Sequence, residues 1–525
     1  MIQIIISIFR EANTHTHTLY LIGGVEVRIG RSLKKSKEKP TTNHIQVNNL
    51  SDEVNENVAR LKNELGHSSD LSVRMIESPH HKSVQAAVIH LDGLADDNII
   101  NENIVDPLIQ WFKENNQILT EIDERASHIL TVSQLTVKES WQGFMSAVLT
   151  GDTAVLLNGS TKAFIASTKK QPTRAITEPT SQTVIRGPKD SFTENLRTNT
   201  SLIRARIQNP DVRLESLKVG SVTQTDIGIM YIQGIADESI VEEVKKRVQG
   251  INIDGVLESN YIEELIRDDS ATIFPLLLNT ERPDAVVGNL LEGRVAIIIQ
   301  GTPFVLIVPA IFSQFFQSPE DYYQNQYISS FLRLLRFGAF FLSMYASAIY
   351  LALITHHQGL IPTTLLVSLM AQRENVPFPA IVEMLVMEMA FEILREAGIR
   401  MPRAIGPAVS IVGALILGEA AVEAGFVGAA VVIIVAISAI SSFTLPNTSL
   451  VNVTRGIRFM LMLISAFIGL YGILLFTLCI WLHMSSLRSF GVPYFAPFAP
   501  FRFKEQKDGF IRFPLPSLLK KPSRK

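Results

Sequence analysis

Three stretches without a single charged residue, Phe337–Thr355, Gly425–Leu445 and Phe459–Leu482, constrain this chain more than anything else in it. A hydrocarbon core about 30 Å thick is spanned by roughly 20 apolar residues in helix, and each run meets or approaches that length. No lysine occurs between Lys246 and Lys504. A lysine ammonium is strongly hydrated and costly in hydrocarbon, so its absence there points to membrane. Ala404–Gly418 is uncharged but short, and Pro379–Gly398 is apolar on one side only. Val295–Phe316 is apolar too, but Gln300, Pro303 and Pro309 interrupt it. Four crossings are expected, with five or six open. One pass at each candidate from Phe337 onward gives five, which puts the tail outside. Yet eight basic residues against two acidic follow Pro500, and Arg333, Arg336, Arg395, Arg400 and Arg403 flank the runs, all favouring the cytoplasm. Either one short segment is re-entrant or one run is misassigned.

The front of the chain is different. Residues 1–290 carry 30 Lys/Arg against 38 Asp/Glu, and residues 291–525 carry 18 against 12. With 47% hydrophobic and 19% charged residues the chain is not a disordered protein, and its net charge of -2 gives no basic stripe for nucleic acid. A single cysteine, Cys479, supplies neither a disulfide framework nor a thiolate zinc site. Met1–Phe9 is apolar but too short to span and lacks the marks of a secretory signal, so the N-terminal part is expected in the cytoplasm. Arg31–Lys39 reads as a solvated linker.

Within this front half lies a duplication. His90-Leu-Asp-Gly-Leu-Ala-Asp96 matches Tyr231-Ile-Gln-Gly-Ile-Ala-Asp237 at a spacing of 141, and Gly151-Asp-Thr-Ala-Val-Leu-Leu-Asn-Gly159 matches Gly293-Arg-Val-Ala-Ile-Ile-Ile-Gln-Gly301 at 142. Two anchors at nearly one offset mean paired subdomains. Each copy reads as a strand, a Gly turn, a helix, and a closing pair of apolar strands, with Asn158-Gly159 suited to a two-residue hairpin. The fold class expected is therefore an α/β (or α+β) soluble region of two repeated subdomains followed by an all-α polytopic membrane bundle. The divisions are a leader and linker at 1–45, subdomains at 46–170 and 201–309 joined by a linker at 171–200, an interfacial connector helix at 310–336, a transmembrane domain at 337–490 and a basic tail at 491–525.

Two groups of residues are candidates for function. Phe304–Pro309 runs straight on into Ala310–Phe316, and Ser318-Pro-Glu320-Asp321 is a strong helix start, with Ser as N-cap, Pro next and carboxylates in the first turn. The helix it opens carries Tyr322, Tyr323 and Tyr327 early and Arg333 and Arg336 late, which suits the headgroup layer. Pro309, Ser318, Glu320, Asp321, Arg333 and Arg336 are thus expected to couple the soluble part to the membrane, either as a transmitter or as a static anchor. In Pro379–Glu396, Glu388, Glu392, Arg395 and Glu396 share a stripe about 100° wide, with Glu383 off it. Carboxylates at that depth can line a cation path. Alternatively the segment is an interfacial helix in which Glu392 pairs with Arg395 while Glu388 and Glu396 are solvated. Small residues at Ser410, Ala414 and Gly418, and at Ala424 and Gly428, favour close helix packing. The pairs His15/His17, His80/His81 and His356/His357 lack metal-ligand spacing, and no phosphate loop, serine elbow or dinucleotide fingerprint is present. No cofactor and no enzymatic activity are expected.

Glu281-Arg-Pro-Asp284, Leu291-Glu-Gly-Arg-Val295, Gly301-Thr-Pro-Phe304, Ser318-Pro-Glu-Asp-Tyr-Tyr323, Arg373-Glu-Asn-Val-Pro-Phe-Pro379, Phe391-Glu-Ile-Leu-Arg-Glu-Ala-Gly398, Ala439-Ile-Ser-Ser-Phe443 and Leu487-Arg-Ser-Phe-Gly-Val-Pro-Tyr494 together resemble the GerA family of spore germinant receptor A subunits, from about Leu61 to Pro514. The resemblance implies a subunit in the inner membrane of a bacterial endospore, working with a transporter-like B subunit that binds the nutrient and a lipoprotein C subunit. It also implies a homo-oligomer around an ion-conducting pore that triggers germination. A nutrient transporter would instead show repeated halves within the membrane, and a scaffold holding its partners would conduct nothing.

Overall fold

Short, largely apolar strands in the front half build two antiparallel sheets of one strand order. The computed structural model describes residues 49–77, 84–114, 129–170, 178–179, 181–401, 418–501, 506 and 508–518. The leader at 1–45, residues 404–417 of the short uncharged run (with Ser410 and Ala414), and the pairs His15/His17 and His80/His81 lie outside them. In the first lobe, strands β1 (Leu71–Glu77), β2 (Val84–Leu91), β3 (Leu135–Lys138), β4 (Thr153–Leu157) and β5 (Ala163–Ala166) are ordered β1-β2-β4-β5-β3. In the second, β6 (Val212–Val219), β7 (Thr225–Ile232), β8 (Leu278–Thr280), β9 (Val295–Ile299) and β10 (Val305–Val308) are ordered β6-β7-β9-β10-β8. Corresponding strands start at Leu71 and Val212, at Val84 and Thr225, and at Thr153 and Val295, within one residue of the offset seen in the sequence motifs.

Local chemistry repeats with the strands. Asp96 and Asp237 each cap the helical segment that follows, accepting the amides of Asn98 and Ser239 at 3.0 Å. Gly159 and Gly301 adopt φ of +84° and +96°, and their amides donate to the carbonyls of Asp52 and Glu194, each at 2.8 Å. The first turn is also longer than expected. Residues 158–162 separate β4 from β5, in place of the two-residue hairpin expected.

Helices α1 (Val54–Glu64), α2 (Asp106–Glu114) and α3 (Trp141–Leu149) cover the first sheet, α1 and α3 on one face and α2 on the other. Around the second sheet, α4 (Leu196–Arg204) and α7 (Pro283–Leu291) cover one face, α5 (Glu238–Gln249) and α6 (Ser259–Ile266) the other. On that latter face the core does not end. It continues through Phe312, Phe315 and Phe316 into Phe337, Phe340 and Met344 of the helical part.

The C-terminal part is helical: α8 (Gln326–Thr355), α9 (Thr363–Arg373), α10 (Ala380–Arg400), α11 (Ala429–Phe443), α12 (Thr448–Ile468) and α13 (Leu470–Ser486). Among the described residues, α8 and α12 are long and apolar enough to cross a membrane, while α11 and α13 are apolar but shorter. Two expectations change. Pro319–Tyr322 is a single 3-10 turn, and the long helix starts afresh at Gln326, where the Asn325 side chain accepts the Tyr327 amide at 3.0 Å. The end of the expected connector, from Gln326, and the first apolar run are therefore one unbroken helix, about 45 Å long at 1.5 Å per residue, while residues 310–325 are not part of it. The run Phe459–Leu482 is not one helix either. It breaks at Gly469, whose φ of +70° and whose neighbour His357, 2.6 Å from where a Cβ would stand, admit no side chain without strain.

Candidate functional site

The junction between the second lobe and the helices is held by buried charge. Arg333, fully buried on the first turns of α8, lies 3.2 Å from Asp321 in the 3-10 turn and 2.8 Å from Asp508 in the tail. Arg336, one turn on, donates to both oxygens of Asp321 at 2.9 and 2.8 Å and to the Phe316 carbonyl at 3.1 Å. Tyr322 donates to Asp508 at 2.5 Å; burial first, and then the Asp508 charge, push its phenol well above the ordinary value. The two arginines expected in the headgroup layer are thus turned inward. Their partner Asp321 is too close to leave unpaired, and a buried unpaired carboxylate is the costlier alternative. Of the other residues expected here, the Ser318 amide donates to Asp321 at 3.3 Å, Glu320 accepts from Gln324 at 2.5 Å, and the Pro309 carbonyl accepts from Arg294 at 2.9 Å.

Three further ties cross the same junction. Ser489 donates to the Leu276 carbonyl at 2.7 Å while accepting the Ala310 amide at 3.0 Å. The Phe312 amide donates to the Tyr494 carbonyl at 2.8 Å, and Thr272 meets His483 of α13 at 2.9 Å. Beside them a polar cavity of about 360 Å³ opens between Asn279 and Glu292 of the second lobe, Gln317 and Arg336, and the α11–α12 turn at Thr444 and Asn447. Glu292, which lines it with its side chain more than half exposed, lies 3.6 Å from Arg294.

The stripe on α10 carries ion pairs, some to α12 and some within α10 itself. Glu388, fully buried, accepts from Ser347 of α8 at 2.8 Å and lies 3.3 Å from Arg458 of α12. Glu392 holds Arg455 at 2.5 Å, Arg458 at 3.0 Å and Arg395 at 3.2 Å. Glu396 pairs with Arg400 at 2.7 Å. Glu383, off the stripe, sits apart near the other end of α10, where it accepts the Gly428 amide at 2.5 Å and faces Arg373 at 3.5 Å. So Glu392 does meet Arg395, but Glu388 is enclosed where solvation was the alternative. Glu392, Glu396, Arg400 and Arg455 also border an open groove of about 490 Å³ on the outer side.

Asp508, Arg455 and Arg458 are the members that sequence reasoning missed. A signal existed for the last two: arginines three apart in an apolar helix want carboxylates three or four apart on another, and Glu388 and Glu392 have that spacing. For Asp508, 175 residues from Arg333 and in a charged tail, the sequence offers no such cue.

The sequence profile described as "Bacillus/Clostridium GerA spore germination protein" matches residues 59–524. Spore germination protein KA of Bacillus subtilis (strain 168) is 48% identical over 481 residues, covering 92% of this chain and 87% of that protein. Spore germination protein GerLA of Bacillus cereus is 37% identical over 462 residues, 88% of this chain and 93% of the relative. Among solved structures, the N-terminal domain of the A subunit of the Bacillus megaterium spore germinant receptor GerK3 aligns with 35% identity over 50% of this chain and 97% of that one, at a TM-score of 0.40.

Proposed function

The chain belongs to the GerA family of Bacillus/Clostridium spore germination proteins, and we propose that it is the A subunit of a multi-subunit nutrient germinant receptor whose helical part forms a gated cation path. The observation that carries this is the continuity of the junction. One hydrophobic core and one buried ion cluster, Asp321–Arg333–Asp508, join the second lobe, α8 and the tail. A displacement of that lobe therefore moves α8, and Ser347 on α8 bonds Glu388 in the ion chain between helices.

The helices alternate in direction. α8 starts at the junction and ends where His356 meets the Ala466 carbonyl near the end of α12. α10 returns from Ala380, packed on Leu351 and Ile354, toward Arg455 near the start of α12. α11 runs from the Glu383 end to the cavity beside Asn279, α12 goes out again, and α13 comes back to Thr272. Phe459–Leu482 belongs to two helices; read as two passes, it raises the five counted from the sequence to six and would return the tail to the starting side. Lobes and tail share one side, taken as the cytoplasmic side of the inner spore membrane. In an oligomer of this chain, Glu392 and Glu396 on the open groove would face the cation path, while Glu388 and Arg458 hold the closed packing. The B and C subunits complete the receptor.

The test is reconstitution of the chain, alone and with its B and C partners, in liposomes holding a cation-sensitive dye. Nutrient-dependent leakage that changes in Glu388→Gln plus Glu392→Gln supports the channel. No flux in any combination leaves a scaffold, and nutrient accumulation without leakage leaves a transporter.

A further inference from the structure

Where the second lobe, α8, α13 and the tail converge, their aromatic side chains leave a cavity of about 260 Å³. Phe274 of the lobe, Phe312 of the connector, Phe340 and Met344 of α8, Met484 of α13 and Phe498 of the tail contribute to its wall. Among the described residues that line it, only Tyr345 and Trp481 bring polar side-chain atoms, and the Tyr345 hydroxyl is engaged with Thr477 at 3.0 Å. A cavity of such walls offers water too few partners; apolar cavities of about 150 Å³ stay dry and accept a hydrocarbon such as benzene. This one has room for more.

The mouth tells what enters. Phe341 on α8 and Trp481 on α13 are 45% and 50% exposed, on the outer sides of the two helices. Beyond them the surface continues as exposed Leu342, Leu474, Leu478 and Leu482, the surface that faces lipid if the helices cross. A tryptophan at the lobe end of a crossing helix suits the headgroup level, so the opening lies where acyl chains begin. We propose that the cavity takes one acyl chain of a bilayer phospholipid, entering sideways between α8 and α13. This rests on the membrane reading of those helices. A chain seated there touches the second lobe, the tail and α8 at once, which makes the junction sensitive to the composition of the bilayer.

The experiment uses the full-length protein in phosphatidylglycerol vesicles containing a trace of phosphatidylcholine with a diazirine at the end of one acyl chain. After photolysis, labelled residues are read by mass spectrometry. The expected result is label on Phe274, Met344 and Met484, which are buried, as well as on the exposed leucines of α13. In Met484→Trp, which fills the cavity, label on Phe274 and Met344 falls to background while the outer leucines keep theirs. Label confined to the outer leucines in the unaltered chain overturns the proposal and leaves the crossings standing. Label nowhere on α8 or α13 overturns both. Label on Phe274 from free diazirine-palmitate but not from the phospholipid also overturns it, since the occupant would then be a free fatty acid.

Discussion

The two lobes share a strand order but not a surrounding. On the first sheet, the face bearing Val88, Val155 and Leu157 is closed by Ile104, Leu108 and Phe112 of the lobe's own helices. The corresponding face of the second sheet, bearing Ile229, Ile297 and Ile299, is closed only partly by Val244 and Ile262, and then by Phe312, Phe316 and the helices beyond. Duplication supplied two equal frames, and the second one gave up its independence to become part of the junction. A lobe sealed on both faces can change shape without consequence for the helices. One whose core runs into them cannot.

The sharpest break of this contrast is at the buried arginines. Arg333→Leu removes the guanidinium that pairs Asp508 and shares Asp321 with Arg336, leaving Asp508 only the Tyr322 hydroxyl, and removing one partner of a buried pair costs about 3–5 kcal/mol. Arg204→Leu does the same to Asp70, 2.8 Å away and equally buried, but that pair joins the first lobe to α4 of the second. Thermal unfolding of the full chain is expected to fall by similar amounts in both. Only Arg333→Leu should release the tail, read as faster protease cleavage beyond Asp508. Equal cleavage in the two variants would dissolve the distinction.

A smaller effect sharpens it further. Ile297→Ala removes buried methyl groups from the shared core, at about 2–5 kcal/mol, and Val155→Ala removes fewer from the corresponding place in the first sheet. Hydrogen exchange is expected to accelerate in β9 and in α8 for Ile297→Ala, and in β4 alone for Val155→Ala. Protection of α8 unchanged in both variants would mean that the core is continuous in space but not in stability.

How much of this was legible beforehand depends on distance along the chain. The repeat was readable because its signals are local: a glycine forced to positive φ, an aspartate capping the next helix, apolar pairs two apart. The helix start at Asn325 was masked by a better-looking one at Ser318-Pro-Glu-Asp. There the carboxylate of Asp321 is drawn to Arg333 and Arg336, 12 and 15 positions on, as well as to its own turn. Arg333 itself read as an interfacial residue because nothing local announces Asp508. Gly469 sat in an apolar run whose hydropathy is indifferent to backbone angle, and His357, the neighbour that fills its space, lies more than a hundred residues earlier. The stripe on α10 was visible by period; its partners on α12 were not, because pairing between helices is set by packing.

The lobes should also answer pH with opposite signs, the smallest of these effects. His90 on β2 is buried and held below its ordinary 6.5, burial outweighing Asp92 at 3.7 Å and Asp97 at 3.6 Å. A histidine kept neutral by the fold lends stability above its ordinary value, and that stability is lost as pH falls through 6.5 toward the lowered one. Glu263 on α6 is pushed up to about 7, by burial first and then by Glu258, with Arg267 opposing. A carboxyl kept protonated by the fold lends stability below its ordinary 4.5 that is lost as pH rises to about 7. Between pH 7.5 and 5.5, hydrogen exchange corrected for intrinsic rates should therefore show β2 losing protection while α6 gains it. His90→Gln is expected to flatten the first response and Glu263→Gln the second, each leaving the other intact. If either substitution flattens both, the lobes unfold as one unit and the first is not independent of the junction after all.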